Sequence, residues 1–220
     1  MSALGLPALV EAHEPPEAHG VARDSVRLLV ADQADGTIAH ARFADLPRLL
    51  SPGDLVVVNT SATLAAALPA IPNDGQKLEL RLSTPVERKD PERFWIVEVR
   101  CGDAPFGSVE VGERFVLPGG AWAEILAPYA GVRLWLARLE LPEPLSRYLD
   151  EHGSPIRYGY VPRRWPLSAY QNVYAVEPGS AEMPSAGRPF TTELITRLIA
   201  GGVLVAPIVL HTGVSSQERH

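Results

Sequence analysis

Cysteine is almost missing from this 220-residue chain: Cys101 is the only one. A single thiol closes no intrachain disulfide, and a cysteine-based zinc site needs several thiolates, so neither staple is available to the fold. A reducing cytoplasm is the setting such a composition leads one to expect. Positive charge is scarce too, with 20 Lys and Arg against 26 Asp and Glu and a net charge of −6. That excludes a surface attractive to polyanions as a whole, so any nucleic-acid contact has to be a local patch. No stretch approaches the roughly 18 to 20 uninterrupted apolar residues that span a bilayer. Met1 to Gly20 carries Glu11, Glu14 and Glu17 where a signal peptide has a basic start, so neither a membrane span nor a secretory leader is expected. Also absent are G-x-G-x-x-G, G-x-x-x-x-G-K-[ST], H-E-x-x-H and G-x-S-x-G, which removes the common dinucleotide, phosphate-loop, metalloprotease and hydrolase readings. His13 and His19 lie in the acidic lead-in and read as solvated side chains, and no metal site is expected anywhere.

What the chain does have is a 46% hydrophobic content, sufficient for a core, punctuated by 21 prolines and 18 glycines. Each of these breaks or turns the backbone, so short strands are favoured over long helices. Arg27 to Ala31 and Thr37 to Arg42 flank the Asp-rich turn at residues 32–36 and predict a β-hairpin. Asp45 to Leu50 offers about one helical turn. After the turn Pro52-Gly53-Asp54, the run Leu55 to Asn59 (LVVVN) predicts a strand buried on both faces. From Lys77 to Leu141, KLELRLS, RFWIVEVR, ERFVL, AWAEILA and VRLWLARLE alternate with Pro and Gly clusters, the pattern of a small all-β barrel. Pro144 to Gly153 predicts a short helix stopped by Gly153. Thr192 to Ala200 predicts another, capped by Thr191 or Thr192 and ended by Gly201-Gly202. Val203 to Leu210 predicts a second buried strand. The expectation is a mixed α/β domain, residues 23–69 and 143–220, preceded by a lead-in at 1–22 and interrupted by a β-barrel insert at 70–142.

Both buried strands end in polar residues, Asn59-Thr60-Ser61 and His211-Thr212-Gly213. Ligands in open sheets favour the crevice at the carboxyl ends of strands. Asn59 is either a site residue or a turn former bonded to its own backbone, and His211 either titrates in a site or packs as a hydrogen-bonded core histidine. Tyr170 and Tyr174 are four apart, so one helical turn would bring both rings to one face, as a base-stacking pair or as lid aromatics. Ser185-Ala186-Gly187 runs toward a helix N-terminus, where backbone N–H groups can hold an anion. Arg157, Arg163 and Arg164 are interleaved with Tyr158, Tyr160 and Trp165, either a patch for phosphates and bases or a solvated loop.

In order along the chain, RDSVRLLVAD (23–32), FADLPRLLSPGDLVVVNT (43–60), YQNVYAVEPGSAEMPSAGRPFT (170–191) and the Gly201 to Gly213 run resemble the S-adenosylmethionine:tRNA ribosyltransferase-isomerase family. The resemblance implies a β-barrel inserted in an α/β domain. It implies an enzyme of queuosine biosynthesis that releases adenine and methionine from S-adenosylmethionine and attaches the rearranged ribose to 7-aminomethyl-7-deazaguanine in tRNA. S-adenosylmethionine would then be a substrate and tRNA the partner, with no further cofactor. By the same resemblance His211, Asn59 and Thr60 are the catalytic candidates. Tyr170, Gln171, Tyr174, Ser185, Ala186, Gly187 and Phe190 would bind substrate, and Arg157, Arg163 and Arg164 would meet RNA. Where the family usually has Asn-Asp-Thr-Arg, this chain has Asn59-Thr60-Ser61-Ala62; where it has Thr-Ala-Gly-Leu-His-Phe, this chain has Ser185-Ala186-Gly187-Arg188-Pro189-Phe190. The family continues beyond the point matching His220, so the resemblance places this chain at the family's front part.

Overall fold

A computed structural model describes residues 12–86, 89–131 and 133–214. Residues 1–11 of the lead-in, with Glu11, and the last residues to His220 lie outside the described set. Among the described residues are three α-helices and thirteen strands, a mixed α/β fold with a curled antiparallel sheet.

The first strands, β1 (Arg27–Ala31) and β2 (Ile38–Arg42), form the hairpin that the Asp-rich turn predicts, in register from Arg27↔Arg42 to Ala31↔Ile38. The short α1 (Leu46–Leu49) follows, then β3 (Leu55–Asn59) and, after a one-residue break at Thr60, β4 (Ser61–Thr63). Six strands make up the path of the large sheet: β5 (Ala67–Ala70), β6 (Leu78–Pro85), β7 (Phe94–Cys101), β9 (Arg114–Val116), β10 (Trp122–Ala130) and β11 (Leu134–Glu140). Their spatial order is β5-β6-β7-β11-β10-β9, and the two-residue β8 (Ala104–Pro105) pairs beside β7. The sheet curls until its edges touch, where Ile71 and Val116 exchange backbone hydrogen bonds of 3.0 and 2.8 Å. Register shifts between Leu82 and Thr84, Ile125 and Ala127, and Pro128 and Ala130 supply the bending, and Pro128 is tolerated at such an irregularity. Strand β5 has no sequence signal of its own; its neighbourhood, Ala65 to Ala70, is Ala-rich and mostly buried along the closing edge.

Leu68, Leu80, Leu82, Val97, Phe115, Ile125 and Leu139 point inward and are fully buried. The end of this core is plugged by α2 (Leu145–His152), which inserts Leu145, Tyr148 and Leu149 and ties Tyr148 Oη to the Pro118 carbonyl at 2.7 Å. Gly153 does end this helix, but its backbone is extended and not left-handed. The reason for glycine is contact: a Cβ there would sit 2.1 Å from the Ala65 carbonyl oxygen.

The second unit pairs β3 with β13 (Leu204–Ile208) in parallel and packs α3 (Thr192–Ala200) across one face. Thr191 caps α3 by accepting from Leu194 N at 3.0 Å, so of the two threonines the first is the cap. Leu194, Leu198, Val203 and Phe190 form the core here, with Val56, Phe43 and Tyr174 against them. The expectation that β3 and β13 are buried on both faces is overturned. Leu55, Val57 and Leu204 are 58%, 52% and 59% exposed, because among the described residues one helical layer covers a pair whose residues alternate between its faces. A continuous apolar run reports strand propensity and cannot report how many layers lie over it.

Candidate functional site

Strands β3 and β13 run side by side and finish together at Asn59 and Ile208. Asn59 then crosses to the other chain segment: its Nδ2 donates to the Leu210 carbonyl at 2.8 Å, and its Oδ1 accepts from Leu210 N at 2.9 Å and Ser61 N at 3.1 Å. Thr60 donates its hydroxyl to the Ile208 carbonyl at 3.1 Å, while its own carbonyl accepts from Val176 N and Glu177 N. This knot sends the chain into β4, which pairs in parallel with β12 (Glu177–Ser180). The result is a convergence of three segments far apart in sequence. Ser61 Oγ lies 2.7 Å from His211 Nδ1 and 2.6 Å from Ser180 Oγ, and Thr212 N donates to Ser180 Oγ at 3.1 Å. Both serines are buried, whereas His211 is exposed. The imidazole lies against Gly179, where a Cβ would come within 2.3 to 2.6 Å of three ring atoms.

Glu182, two residues beyond Ser180, lines a cleft of about 390 Å³. Tyr158, Tyr160, Trp165 and Tyr170 give it aromatic walls, Glu182, Met183, Ser185 and Arg188 a mixed floor, and Ala12 to Pro16 of the lead-in close one side. Tyr158 and Tyr160 stack with centroids 5.4 Å apart and planes 3° from parallel. The Arg163 guanidinium covers Trp165 at 4.0 Å and pairs with Glu14 at 3.1 Å. Glu182 joins cleft and cluster: its side chain lines the cleft, and its carbonyl accepts from the Thr212 hydroxyl next to His211. Burial holds its carboxyl above the usual carboxylate range, against the opposing pull of the Tyr158 hydroxyl and Arg81. Tyr158 is pushed up to about 12, first by burial and then by the Glu182 charge.

The remaining residues singled out in the sequence fall in several places. Tyr170 and Ser185 line the cleft. Gln171 pairs through its amide with the backbone of Thr63, accepting at 2.9 Å and donating at 2.8 Å, as a strand neighbour would. The helical turn expected to align Tyr170 with Tyr174 does not form: a 3-10 turn ends at Tyr170 and the backbone at Gln171 is extended. Tyr174 packs instead on Phe190 in the α3 core, with its hydroxyl over Gly187, where a Cβ would approach to 2.0 Å. Ser185, Ala186 and Gly187 make a separate 3-10 turn before α3. Arg157 is drawn inward to the Val161 carbonyl, and Arg164 reaches Ser154 Oγ at 3.5 Å. Arg188 donates to the Ala169 carbonyl at 2.9 Å and pairs with Glu17, which also holds Arg23 at 3.1 Å. His13, expected to be solvated, is exposed but also meets the Tyr160 carbonyl. Ser180, Glu182 and the lead-in are the site elements that sequence reasoning missed, and Ser61, noted there only as part of a polar strand end, turns out to hold His211. A serine, a glutamate and a Pro-rich start carry no spacing that would single them out.

Among the described residues no helix is long and apolar enough to cross a membrane. Glu143, Glu151 and His152 bring ligand atoms within 4.8 Å of one another, away from the cleft.

A parallel strand pair whose carboxyl ends carry a histidine–serine cluster, linked through Thr212 and Glu182 to an aromatic cleft, together with a curled antiparallel sheet, defines a mixed α/β protein with a strand-end site. The model of the queuosine biosynthesis protein family matches residues 3–220, and the chain belongs to that family. It is 34% identical over 212 residues to the S-adenosylmethionine:tRNA ribosyltransferase-isomerase of Thermotoga petrophila, covering 96% of this chain and 58% of that protein. To the enzyme of the same name from Thermus thermophilus it is 35% identical over 210 residues, covering 91% and 59%. The crystal structure of S-adenosylmethionine tRNA ribosyltransferase from Thermotoga maritima aligns at 27% identity and a TM-score of 0.34, over 87% of this chain and 52% of that one. This chain therefore spans less than two thirds of the length of the relatives it matches.

Proposed function

We propose that this chain carries the strand-end part of a site that transfers and isomerises the ribosyl group of S-adenosylmethionine onto 7-aminomethyl-7-deazaguanine in tRNA, releasing adenine and methionine. S-adenosylmethionine is then a substrate, no further cofactor is called for, and the setting is the cytoplasm. The observation that carries the reading is His211, held by Ser61 at the strand ends and linked through Thr212 and the Glu182 carbonyl to a residue of the aromatic cleft, in a chain matched by the family over residues 3–220. The sulfonium acidifies its neighbouring C–H and makes a good leaving group, so such chemistry needs a proton acceptor, a donor toward the departing purine and a flat platform for bases. Tyr158, Tyr160 and Tyr170 suit the platform, Glu182 with its raised carboxyl suits proton transfer, and His211 stands ready at the cluster. Arg163 and Arg164, both exposed, are the cations best presented to tRNA phosphates, and Arg157 is the least available of the three.

Incubation with S-adenosylmethionine and tRNA bearing the deazaguanine precursor tests this directly, with release of adenine as the expected outcome. A preparation extended to the relatives' full length that still releases none would remove the tRNA-modifying assignment. A second reading, a binding module that kept the fold without the chemistry, is favoured by Pro189 and Ala62, where the family resemblance implies a histidine and an arginine. Calorimetry separates the two: heat of binding for S-adenosylmethionine or tRNA with no adenine release supports the second.

A further inference from the structure

The hydrogen bonds around His211 run in one direction, and that direction decides which ring nitrogen carries the proton. Ser180 Oγ is fully buried and accepts from Thr212 N at 3.1 Å. Its own proton must go to an acceptor, and among the described residues Ser61 Oγ, at 2.6 Å, is the one within reach. Ser61 Oγ, itself buried, accepts from Ser180, and its own proton then needs an acceptor; accepting a second bond, from Nδ1–H, would leave that proton buried and unpaired. The acceptor 2.7 Å away is His211 Nδ1. The opposite direction, with Nδ1–H donating to Ser61 and Ser61 to Ser180, leaves the Ser180 hydroxyl proton buried without an acceptor.

We infer that Ser180 and Ser61 form a directed relay that keeps Nδ1 of neutral His211 bare and its proton on Nε2, so that the exposed edge of the ring is a hydrogen-bond donor to whatever the site binds. Ser61 and Ser180 are positioning residues: they act through the imidazole. The ring lies against Gly179, and Nε2 makes no hydrogen bond to any described residue that would compete with the Ser61 contact for the ring's orientation. Under the function proposed above, on which this consequence rests, neutral His211 serves as a donor toward a departing purine nitrogen. Removal of a carbon-bound proton then falls to another group, because a nitrogen that already bears a proton offers no free pair.

The test is nitrogen NMR on the whole chain labelled at histidine, without ligand, at a pH where the imidazole is neutral. The His211 signals are assigned by their loss in His211→Asn. The expected result is a protonated, pyrrole-like Nε2 and a bare, pyridine-like Nδ1. Ser61→Ala should move both shifts toward the averaged values of unconstrained imidazole, and Ser61→Thr, which keeps the hydroxyl, should restore them. Ser180→Ala should give a smaller displacement in the same direction, and it serves should Ser61→Ala fail to fold. A proton on Nδ1 in the unsubstituted chain would overturn the inference, and unchanged shifts in both alanine variants would overturn the part assigned to the serines. The readout involves no turnover, so absence of adenine release would defeat the proposed function and leave this result standing.

Discussion

Asn59 and Leu210 are locked side chain to backbone, the amide of the first donating to the carbonyl of the second at 2.8 Å and accepting from its N–H at 2.9 Å. The asparagine thereby extends the β3–β13 ladder by one rung and sets the chain direction at His211, the next residue. Asn59→Ala removes both bonds and the contact to Ser61 N. The expected loss is about 1–3 kcal/mol in urea unfolding, because three backbone groups lose their partners. A variant as stable as the parent would show that water replaces the rung without penalty.

Gly179 is required by closeness. A methyl group there would come within 2.3 Å of His211 Cε1, so Gly179→Ala must push the imidazole off its seat or shift β12. With the ring displaced by an ångström or so, adenine release should fall roughly 10²-fold. Full turnover in a folded Gly179→Ala protein would mean that the position of the ring is unimportant.

His211→Asn keeps a hydrogen-bonding side chain and abolishes titration. A role in proton transfer predicts a loss of roughly 10²-fold or more in adenine release with the melting temperature little changed. A packing role predicts the reverse pattern, lower stability with turnover kept in the folded fraction. Measuring both on one preparation distinguishes them.

Glu182 should make stability depend on pH in an unusual direction for a carboxylate. Burial raises its folded-state value above the ordinary 4.5, so the folded chain holds this proton more tightly than the unfolded chain does. Its contribution is fully present below 4.5 and is lost as the pH rises through the raised folded value. Glu182→Gln is neutral throughout and keeps an oxygen for the Tyr158 hydroxyl. The variant's melting temperature relative to the parent should therefore climb across that window and level off above it; a difference that is flat with pH would contradict the burial of the charge.

Arg163 and Arg164 should matter for RNA through charge. Replacing both by Ala should weaken tRNA binding and flatten its dependence on salt by up to about two phosphate contacts. Arg163 is also held by Glu14 and Trp165, so part of its charge is already neutralised, and the slope should change by less than two full contacts. Binding unchanged at low salt would take this patch out of the interface.

The sequence alone determined the family and most of the longer secondary elements, though not β4, β5 or β12. The hairpin at Arg27–Ala31 and Ile38–Arg42, the strands around Trp95, Trp122 and Trp135, the helix capped by Thr191 and the two strands ending near Asn59 and His211 were all legible, because turn chemistry, alternation and capping act over a few residues. What only the tertiary structure decided depends on residues brought together from far apart. Ser61 is separated by 119 positions from Ser180 and by 150 from His211, and nothing local to any of them announces the contact. Tyr174 followed its buried neighbour Phe190 into the α3 core and left Tyr170 to the cleft, since packing overrode the four-residue spacing. The open outer face of β3 and β13 and the seating of Glu14 and Glu17 against Arg163 and Arg188 have the same origin. Burial and pairing are properties of what else is adjacent in space, and a one-dimensional pattern carries the propensity of a segment without the identity of its neighbours.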